Sequence, residues 1–196
     1  MTLRGGAAYP KNGLLGHEGS GIVAAVGANV SPADFAPGDR VTIMPYAVCG
    51  QCDACRSNHP EYCINPGVAP EVSLQAGCLI EPLMMAVHAV EKAHLGFGSS
   101  VILLGCGAMG QMILKLVRQH PVGKLVVVEP DAGKREAALR FGADVVLDSS
   151  NNNLFSEAIR SNGGRGYNAV IEASGSRTSA QMAFNLVARG GSVVYF

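Results

Sequence analysis

The stretch SVILLGCGAMGQMILKLV, from Ser100 to Val117, joins an apolar run to a glycine-rich turn and then to a run with helical periodicity. Apolar residues fill positions 101–104, which is typical of a strand that is covered on both faces. Gly105, Gly107 and Gly110 follow at the spacing G-x-G-x-x-G. In this context the first glycine permits a tight turn, the second lets a pyrophosphate approach the backbone, and the third brings the helix against the strand. The stretch therefore predicts an α/β unit that binds a dinucleotide.

An acidic residue at the end of the next apolar run supports this prediction. Glu129 closes the run KLVVVEP and lies nineteen residues beyond Gly110. A carboxylate at this place accepts hydrogen bonds from the adenosine ribose hydroxyls and repels a 2′-phosphate, so NAD is favoured over NADP. Asp131 is an alternative for this role, and Lys134 is placed to lie near the ribose. The competing interpretation, a glycine-rich turn without a ligand, does not account for the strand, the helix and the acid occurring together.

The rest of the second half alternates between helical and strand patterns. Helices are predicted over 79–94, 108–120, 133–142, 154–161 and 179–189, and strands over 100–105, 124–130, 144–148, 167–175 and 190–196. Parallel neighbours need crossover helices, so this alternation predicts a doubly wound parallel (Rossmann) sheet over residues 79–196. Residues 1–78 have short apolar runs broken by turns at Pro32 and Pro37-Gly38-Asp39, which favours a small antiparallel β domain.

Four cysteines form a compact cluster in the first half. Cys49, Cys52, Cys55 and Cys63 lie in CGQCDACRSNHPEYC at the spacing C-x2-C-x2-C-x7-C. Four thiolates at such spacing can close a tetrahedral shell around Zn²⁺, which leaves no position for water or substrate and makes the site structural. A disulfide pair or four free thiols are the alternatives, and disulfides are rare in a reducing compartment.

Composition excludes several classes of function. Fifteen basic residues are balanced by fifteen acidic ones, for a formal net charge of +0, so the chain lacks the basic excess of nucleic-acid or membrane-surface binders. The first residues, MTLRGGAAYPKNG, contain no apolar core of a signal peptide. We expect a cytoplasmic protein with a small-molecule substrate.

An ordered set of motifs resembles the zinc-containing medium-chain alcohol and polyol dehydrogenases. The set comprises GHEGSGIVAAVG at 16–27, GDRV at 38–41, the four-cysteine cluster, IEP at 80–82 and GCGAMG at 105–110. The resemblance covers almost the whole chain. It implies that residues 1–78 are part of a GroES-like catalytic domain, and that the complete enzyme, expected to be a homo-oligomer, carries a second, catalytic zinc that faces the nicotinamide.

The resemblance also assigns roles to individual residues. His17 and Glu81 would be catalytic zinc ligands, with Glu18 a ligand or a close neighbour of one. Glutamate at position 81 resembles the sorbitol, butanediol and threonine dehydrogenase branch, so a polyol, sugar alcohol or amino alcohol is the implied substrate. The zinc would stabilise the substrate alkoxide from which hydride leaves to the nicotinamide. The candidate cofactor-binding residues are Gly105, Gly107, Ala108, Met109, Gly110, Glu129, Lys134, Ala173 and Ser174.

Three departures from the family pattern lead us to expect a fragment. No cysteine precedes His17, where the family has its first catalytic zinc ligand, and the segment between Cys63 and Glu81 is short. The Rossmann domain is expected to be truncated after its fifth strand, at Phe196. The alternative to a zinc- and NAD-dependent oxidoreductase is thus a non-catalytic remnant that binds NAD and zinc.

Overall fold

The computed structural model of the protein describes residues 18–28, 30–33, 35–43, 52–57, 68–70 and 78–196. The chain divides into two compact units, residues 1–81 and residues 82–196. The domain boundary that the sequence predicts, between residues 78 and 79, stays a prediction.

The described part of the first unit contains a short antiparallel sheet. Its strands, in the order β1-β2-β3, are β1 (Gly19–Ile22), β2 (Arg40–Ile43) and β3 (Val68–Pro70), and a one-turn helix α1 spans Asp53–Arg56. β1 and β2 pair with Gly19 opposite Ile43. Just before β2, Gly38 has a φ of +101°, and the Asp39 carboxylate accepts a hydrogen bond from the Ala36 N–H at 2.7 Å. The predicted turn at Pro37-Gly38-Asp39 is therefore present.

Residues 80–196, all of which the structure describes, alternate between helix and strand. The helices are α2 (Ile80–Lys92), α3 (Ala108–Val117), α4 (Ala132–Arg140), α5 (Leu154–Ser161) and α6 (Arg177–Leu186). The strands are β4 (Ser100–Leu104), β5 (Lys124–Val128), β6 (Val145–Leu147), β7 (Tyr167–Glu172) and β8 (Val187–Tyr195). All strand pairs in this unit are parallel, in the order β6-β5-β4-β7-β8. The prediction of a doubly wound parallel sheet is confirmed.

The two faces of this sheet are buried in separate clusters because side chains alternate along each strand. On one face, Val101 and Leu103 pack with residues of α2, α3 and α4. On the other, Ile102 and Leu104 pack with residues of α5 and α6. β4 is therefore almost inaccessible to solvent, as its uninterrupted apolar sequence predicts.

The strand order creates a crevice beside the central strand. From β4 the chain runs outward through β5 and β6, and it then crosses to the other side of β4 to form β7 and β8. The connections after β4 and β7 therefore lead away in opposite directions at the carboxyl ends of the strands. Such a switch point is where open α/β sheets bind ligands.

The end of α6 differs from the sequence prediction. The sequence predicts a helix through residue 189, but α6 ends at Leu186 and Val187 is extended, with φ −74° and ψ 139°. Val187 pairs with Tyr167 of β7, and the register then shifts so that Ser192 lies opposite Ala169. The β-branched Val187 and the flexible Gly190 favour this early exit from the helix. Within the described residues, no helix is both long and apolar enough to cross a membrane.

Candidate functional site

The three glycines after β4 occupy different environments. Gly105 has a φ of +94°, and a Cβ added there would lie 2.7 Å from the Ser174 backbone. A Cβ on Gly110 would lie 2.2 Å from the Gly105 carbonyl oxygen, whereas one on Gly107 would have no heavy atom within 4 Å. The outer two glycines therefore permit close backbone packing, and the middle one leaves open space for a ligand.

Helix α3 begins directly after this open glycine, and of the two residues only Gly107, not Ala108, lines the cavity described below. Gly107 is the N-cap residue and provides no side-chain hydrogen bond to the helix. The first turn contains Ala108, Met109 and Gly110 and no acidic residue. Uncapped N–H groups and the positive end of the helix dipole favour an anionic group at this place.

The Glu129 carboxylate lies beside the glycine turn. Its side chain is 5% exposed, and its Oε2 accepts a hydrogen bond from the Cys106 N–H at 2.7 Å. Its Oε1 accepts a second bond from the Asp131 N–H at 3.1 Å. A carboxylate has about four acceptor sites, so these two bonds leave capacity for ribose hydroxyls.

Asp131, the alternative ribose-binding acid, is engaged in helix capping. Its Oδ1 accepts a hydrogen bond from the Lys134 N–H at 2.8 Å, which caps the N-terminus of α4. Asp131 does not line the large cavity described next, whereas Glu129 and the exposed Lys134 do. The geometry thus favours Glu129 over Asp131 for contact with a bound nucleotide.

A cavity of about 720 Å³ lies at the carboxyl ends of β4, β5 and β7. Six predicted cofactor-binding residues line it: Gly105, Gly107, Glu129, Lys134, Ala173 and Ser174. Residues in or just before α5 and α6 add walls that sequence reasoning missed, among them Asn151, Asn152, Phe155, Thr178, Ser179 and Met182. Their only sequence signal is their position after a strand or at a helix start, which becomes informative once the strand order is known.

A second buried carboxylate, also missed from sequence, lies across the glycine turn from Glu129. Glu172 ends β7, is 3% exposed, and accepts a hydrogen bond from the Ser174 N–H at 2.8 Å. The same Oε1 accepts a bond from the Ser174 hydroxyl. Glu172 itself does not line the cavity.

Cys106, between the first two glycines, is a buried thiol rather than a reactive one. Burial raises its pKa from 9.0 to about 11, the negative charge of Glu129 adds to the increase, and Lys134 opposes it. A thiol with such a pKa carries almost no thiolate at neutral pH. This supports a packing role for Cys106.

The predicted zinc ligands are largely outside the described residues. His17, Cys49 and Cys63 lie outside them, and for Cys55 only the backbone, in α1, is described. Cys52 is half-buried. Among the residues that the structure describes, no group of three or more His, Cys, Asp or Glu side chains is placed to hold a metal.

The two described candidates for the catalytic zinc differ in exposure. Glu18 is exposed, and Glu81 is 8% exposed in the first turn of α2. Both zinc sites therefore stay predictions.

The described site fits a dinucleotide. The backbone is open at Gly107, the start of α3 offers free N–H groups to a pyrophosphate, and Glu129 borders the same cavity. The cavity volume also lies within the usual range for sites of small molecules and cofactors.

Comparison with known proteins agrees with this geometry. The model of the family described as "Alcohol dehydrogenase GroES-like domain" matches residues 1–111, and that described as "Zinc-binding dehydrogenase" matches residues 108–196. The sorbitol dehydrogenase of Bacillus subtilis is 28% identical over 204 residues, which cover 92% of this chain and 57% of that protein. D-xylulose reductase A of Aspergillus oryzae is 28% identical, with 92% and 58% covered.

A solved structure gives the same result for the fold. A zinc-binding dehydrogenase from Sinorhizobium meliloti 1021, bound to NADP, superposes with a TM-score of 0.77 at 30% identity, covering 92% of this chain and 60% of that one. The chain thus spans somewhat more than half the length of the relatives that it matches. With the parallel sheet and the glycine turn, these matches show that the chain belongs to the zinc-containing medium-chain alcohol and polyol dehydrogenase family.

Proposed function

We propose that the complete protein is a zinc- and NAD-dependent oxidoreductase that transfers a hydride from a secondary alcohol, of polyol, sugar-alcohol or amino-alcohol type, to NAD. The observation that carries this proposal is the cavity in which open backbone at Gly107 and the Glu129 carboxylate lie together. Membership of the family supports the alcohol substrate. When bound, NAD would supply the hydride acceptor, and zinc a Lewis acid for the substrate oxygen.

The described residues would bind and orient the nucleotide. The N–H groups at the start of α3, at Ala108 and Met109, would bind the pyrophosphate, and Glu129 would bind the adenosine ribose. Lys134 would lie near this ribose, and Ala173 and Ser174 near the nicotinamide ribose. Gly105 and Gly110 would hold the turn in shape by close packing.

The proposed metal ligands follow from the sequence. A structural zinc would be held by the four clustered cysteines, Cys49, Cys52, Cys55 and Cys63. The residues that would bind the catalytic zinc or lie beside its ligands are His17, Glu18 and Glu81.

We also propose a cytoplasmic location and a homo-oligomeric state for the complete protein. A reducing compartment would keep the four clustered cysteines available as thiolates for zinc. Sedimentation of the complete protein would test the oligomeric state.

Calorimetric titration with NAD and NADP tests the nucleotide assignment. The wild-type chain should bind NAD more tightly than NADP, and Glu129→Ala should lower NAD affinity about tenfold, since one to two hydrogen bonds to the ribose are lost. Glu129→Gln is the matched control, because it keeps an acceptor but removes the charge that repels a 2′-phosphate. It should narrow the preference for NAD chiefly by improving NADP binding. Equal affinity of the wild type for both nucleotides would contradict the role given to Glu129.

Absorbance of NADH at saturating sorbitol, 2,3-butanediol or threonine tests the proposed reaction in the complete protein. Turnover with at least one of these alcohols, lost on removal of zinc, is the expected result. Tight NAD binding without turnover on any secondary alcohol would favour the non-catalytic alternative.

A further inference from the structure

Glu172 is a buried carboxylate that, among the described residues, accepts hydrogen bonds from Ser174, in the turn that follows its own strand. Its Oε1 accepts from the Ser174 N–H at 2.8 Å and from the Ser174 hydroxyl. The Ser174 hydroxyl oxygen in turn accepts a bond from the Ser176 N–H at 3.1 Å. Ser176 is the N-cap of α6. The side chains of Glu172 and Ser174 thus form a chain of hydrogen bonds from the end of β7 to the N-cap of α6.

This connection packs directly on the glycine turn. Ser174 Cα and N lie 2.7 Å from the place of a Cβ on Gly105. The Ala173 N–H also donates to the Leu104 carbonyl oxygen at 2.8 Å, so the β7 end is held against the β4 end. Any displacement of Ser174 therefore changes the shape of the cavity, which both Ser174 and Gly105 line.

Ser174 and Glu129 lie on opposite sides of the switch point. Glu129 follows β5, which neighbours β4 on one side, and Ser174 follows β7, which neighbours β4 on the other. In folds with this glycine motif the acid after the second strand binds the adenosine ribose and the pyrophosphate crosses the glycine turn. The remaining half of the dinucleotide then extends toward the β7 side, where Ser174 lines the cavity.

We infer that Glu172 is a positioning residue that holds Ser174 against the glycine turn and thereby sets the affinity for the nicotinamide half of the dinucleotide. This inference rests on the proposed function. Glu172 touches no ligand in this scheme, since it lies behind Ser174 and does not line the cavity. A substitution of Glu172 should therefore weaken nucleotide binding only where it removes the ability to accept hydrogen bonds. The loss of affinity should be larger for the nicotinamide half of the dinucleotide than for the adenosine half.

Two ligands, ADP and NAD, distinguish binding of the adenosine and phosphate half from binding of the nicotinamide half. ADP carries the adenosine and the two phosphates, and NAD adds the nicotinamide ribose. Glu172→Ala should lower NAD affinity about tenfold, because Ser174 loses both bonds to the carboxylate, and should leave ADP affinity within about twofold. Glu172→Gln keeps an oxygen that can accept both bonds and should bind NAD within about threefold of the wild type.

Two further variants test whether a loss of NAD affinity could result from a loss of stability alone. Tyr167→Phe removes the buried hydroxyl at the other end of β7, which donates to the Ala158 carbonyl oxygen at 2.7 Å. It should lower the melting temperature and leave the affinities for both nucleotides unchanged. Ser174→Ala changes an exposed residue, so it should fold, and it should weaken NAD binding about threefold through the lost hydroxyl bond.

Calorimetric titration with NAD and ADP tests the role of Glu172 in the wild type and the four variants. The melting temperature of each protein is measured alongside. Equal losses for NAD and ADP in Glu172→Ala, or unchanged NAD affinity in a folded Glu172→Ala variant, would overturn the role of Glu172. If Glu172→Ala does not fold, unchanged NAD affinity in Ser174→Ala alone has the same consequence. A wild-type chain that binds neither nucleotide would overturn the proposed function and the inference with it.

Discussion

At the scale of single residues, Gly107 and Gly110 belong to one motif but have opposite surroundings. A methyl group on Gly110 would meet the Gly105 carbonyl oxygen at 2.2 Å, and one on Gly107 would meet no heavy atom within 4 Å. We expect Gly110→Ala to lower the free energy of unfolding by about 1–3 kcal/mol. Gly107→Ala should keep stability within about 0.5 kcal/mol of the wild type and yet lower NAD affinity at least tenfold, because its methyl group would occupy the space of the pyrophosphate.

Urea unfolding and NAD titration of both variants test this contrast. Equal loss of stability in the two variants would show that Gly107 also serves packing. Unchanged NAD affinity in Gly107→Ala would move the nucleotide away from this turn.

Cys106 adds a pH-dependent effect at the same turn. Its pKa in the folded state, about 11, lies above its ordinary value of 9.0, mainly because the thiol is buried. Between these two values the folded state keeps the proton that the unfolded chain loses, so raising the pH through this window destabilises the folded state. The stability advantage of the wild type over Cys106→Ala should be fully present at pH 8 and be smaller by about 2 kcal/mol at pH 11. Urea unfolding across this range measures it, and a constant difference would contradict the buried, protonated thiol.

At the scale of elements, α4 depends on Asp131 for its N-terminal cap. The Asp131 Oδ1 accepts a bond from the Lys134 N–H at 2.8 Å. Asp131→Ala should therefore lower the free energy of unfolding by about 1 kcal/mol, whereas Asp131→Ser, which can still cap the helix, should lose less. Neither change should alter NAD affinity by more than about twofold. A large loss of NAD affinity in both variants would give Asp131 the ribose-binding role instead of Glu129.

Elements of the α/β unit could be predicted from sequence because each carries its own pattern. The strand β4 is a continuous apolar run between turns, and α3 follows a glycine motif with a known geometry. The end of α6 could not be predicted, because pairing of Val187 with Tyr167 of β7 decides it. That pairing joins residues twenty positions apart, and local propensity contains no information about it.

At the scale of the whole molecule, the site could be predicted only where it is local in sequence. Gly105, Gly107 and Glu129 belong to consecutive elements, and their spacing indicates their roles. Glu172 was missed because its importance comes from the crossover that places β7 beside β4, which brings Ser174 against Gly105 from sixty-nine positions away. The sequence predicts a strand over 167–175, and a glutamate within it gives no local signal of such a role.

The last prediction concerns zinc and the independence of the two units. Both large buried clusters lie within residues 86–194, in the second unit, so its stability should not depend on a metal held by the cysteine cluster. A closed shell of four thiolates binds zinc strongly, so we expect metal analysis to find about one zinc per purified chain. A strong chelator should remove this zinc and destabilise the first unit, while NAD affinity and the unfolding transition of the second unit stay unchanged.

Cys52→Ser is the matched variant, and it should reproduce the chelated state without chelator. Loss of NAD binding on chelation would show that the two units depend on each other, and the absence of zinc from a folded chain would contradict the predicted cysteine site.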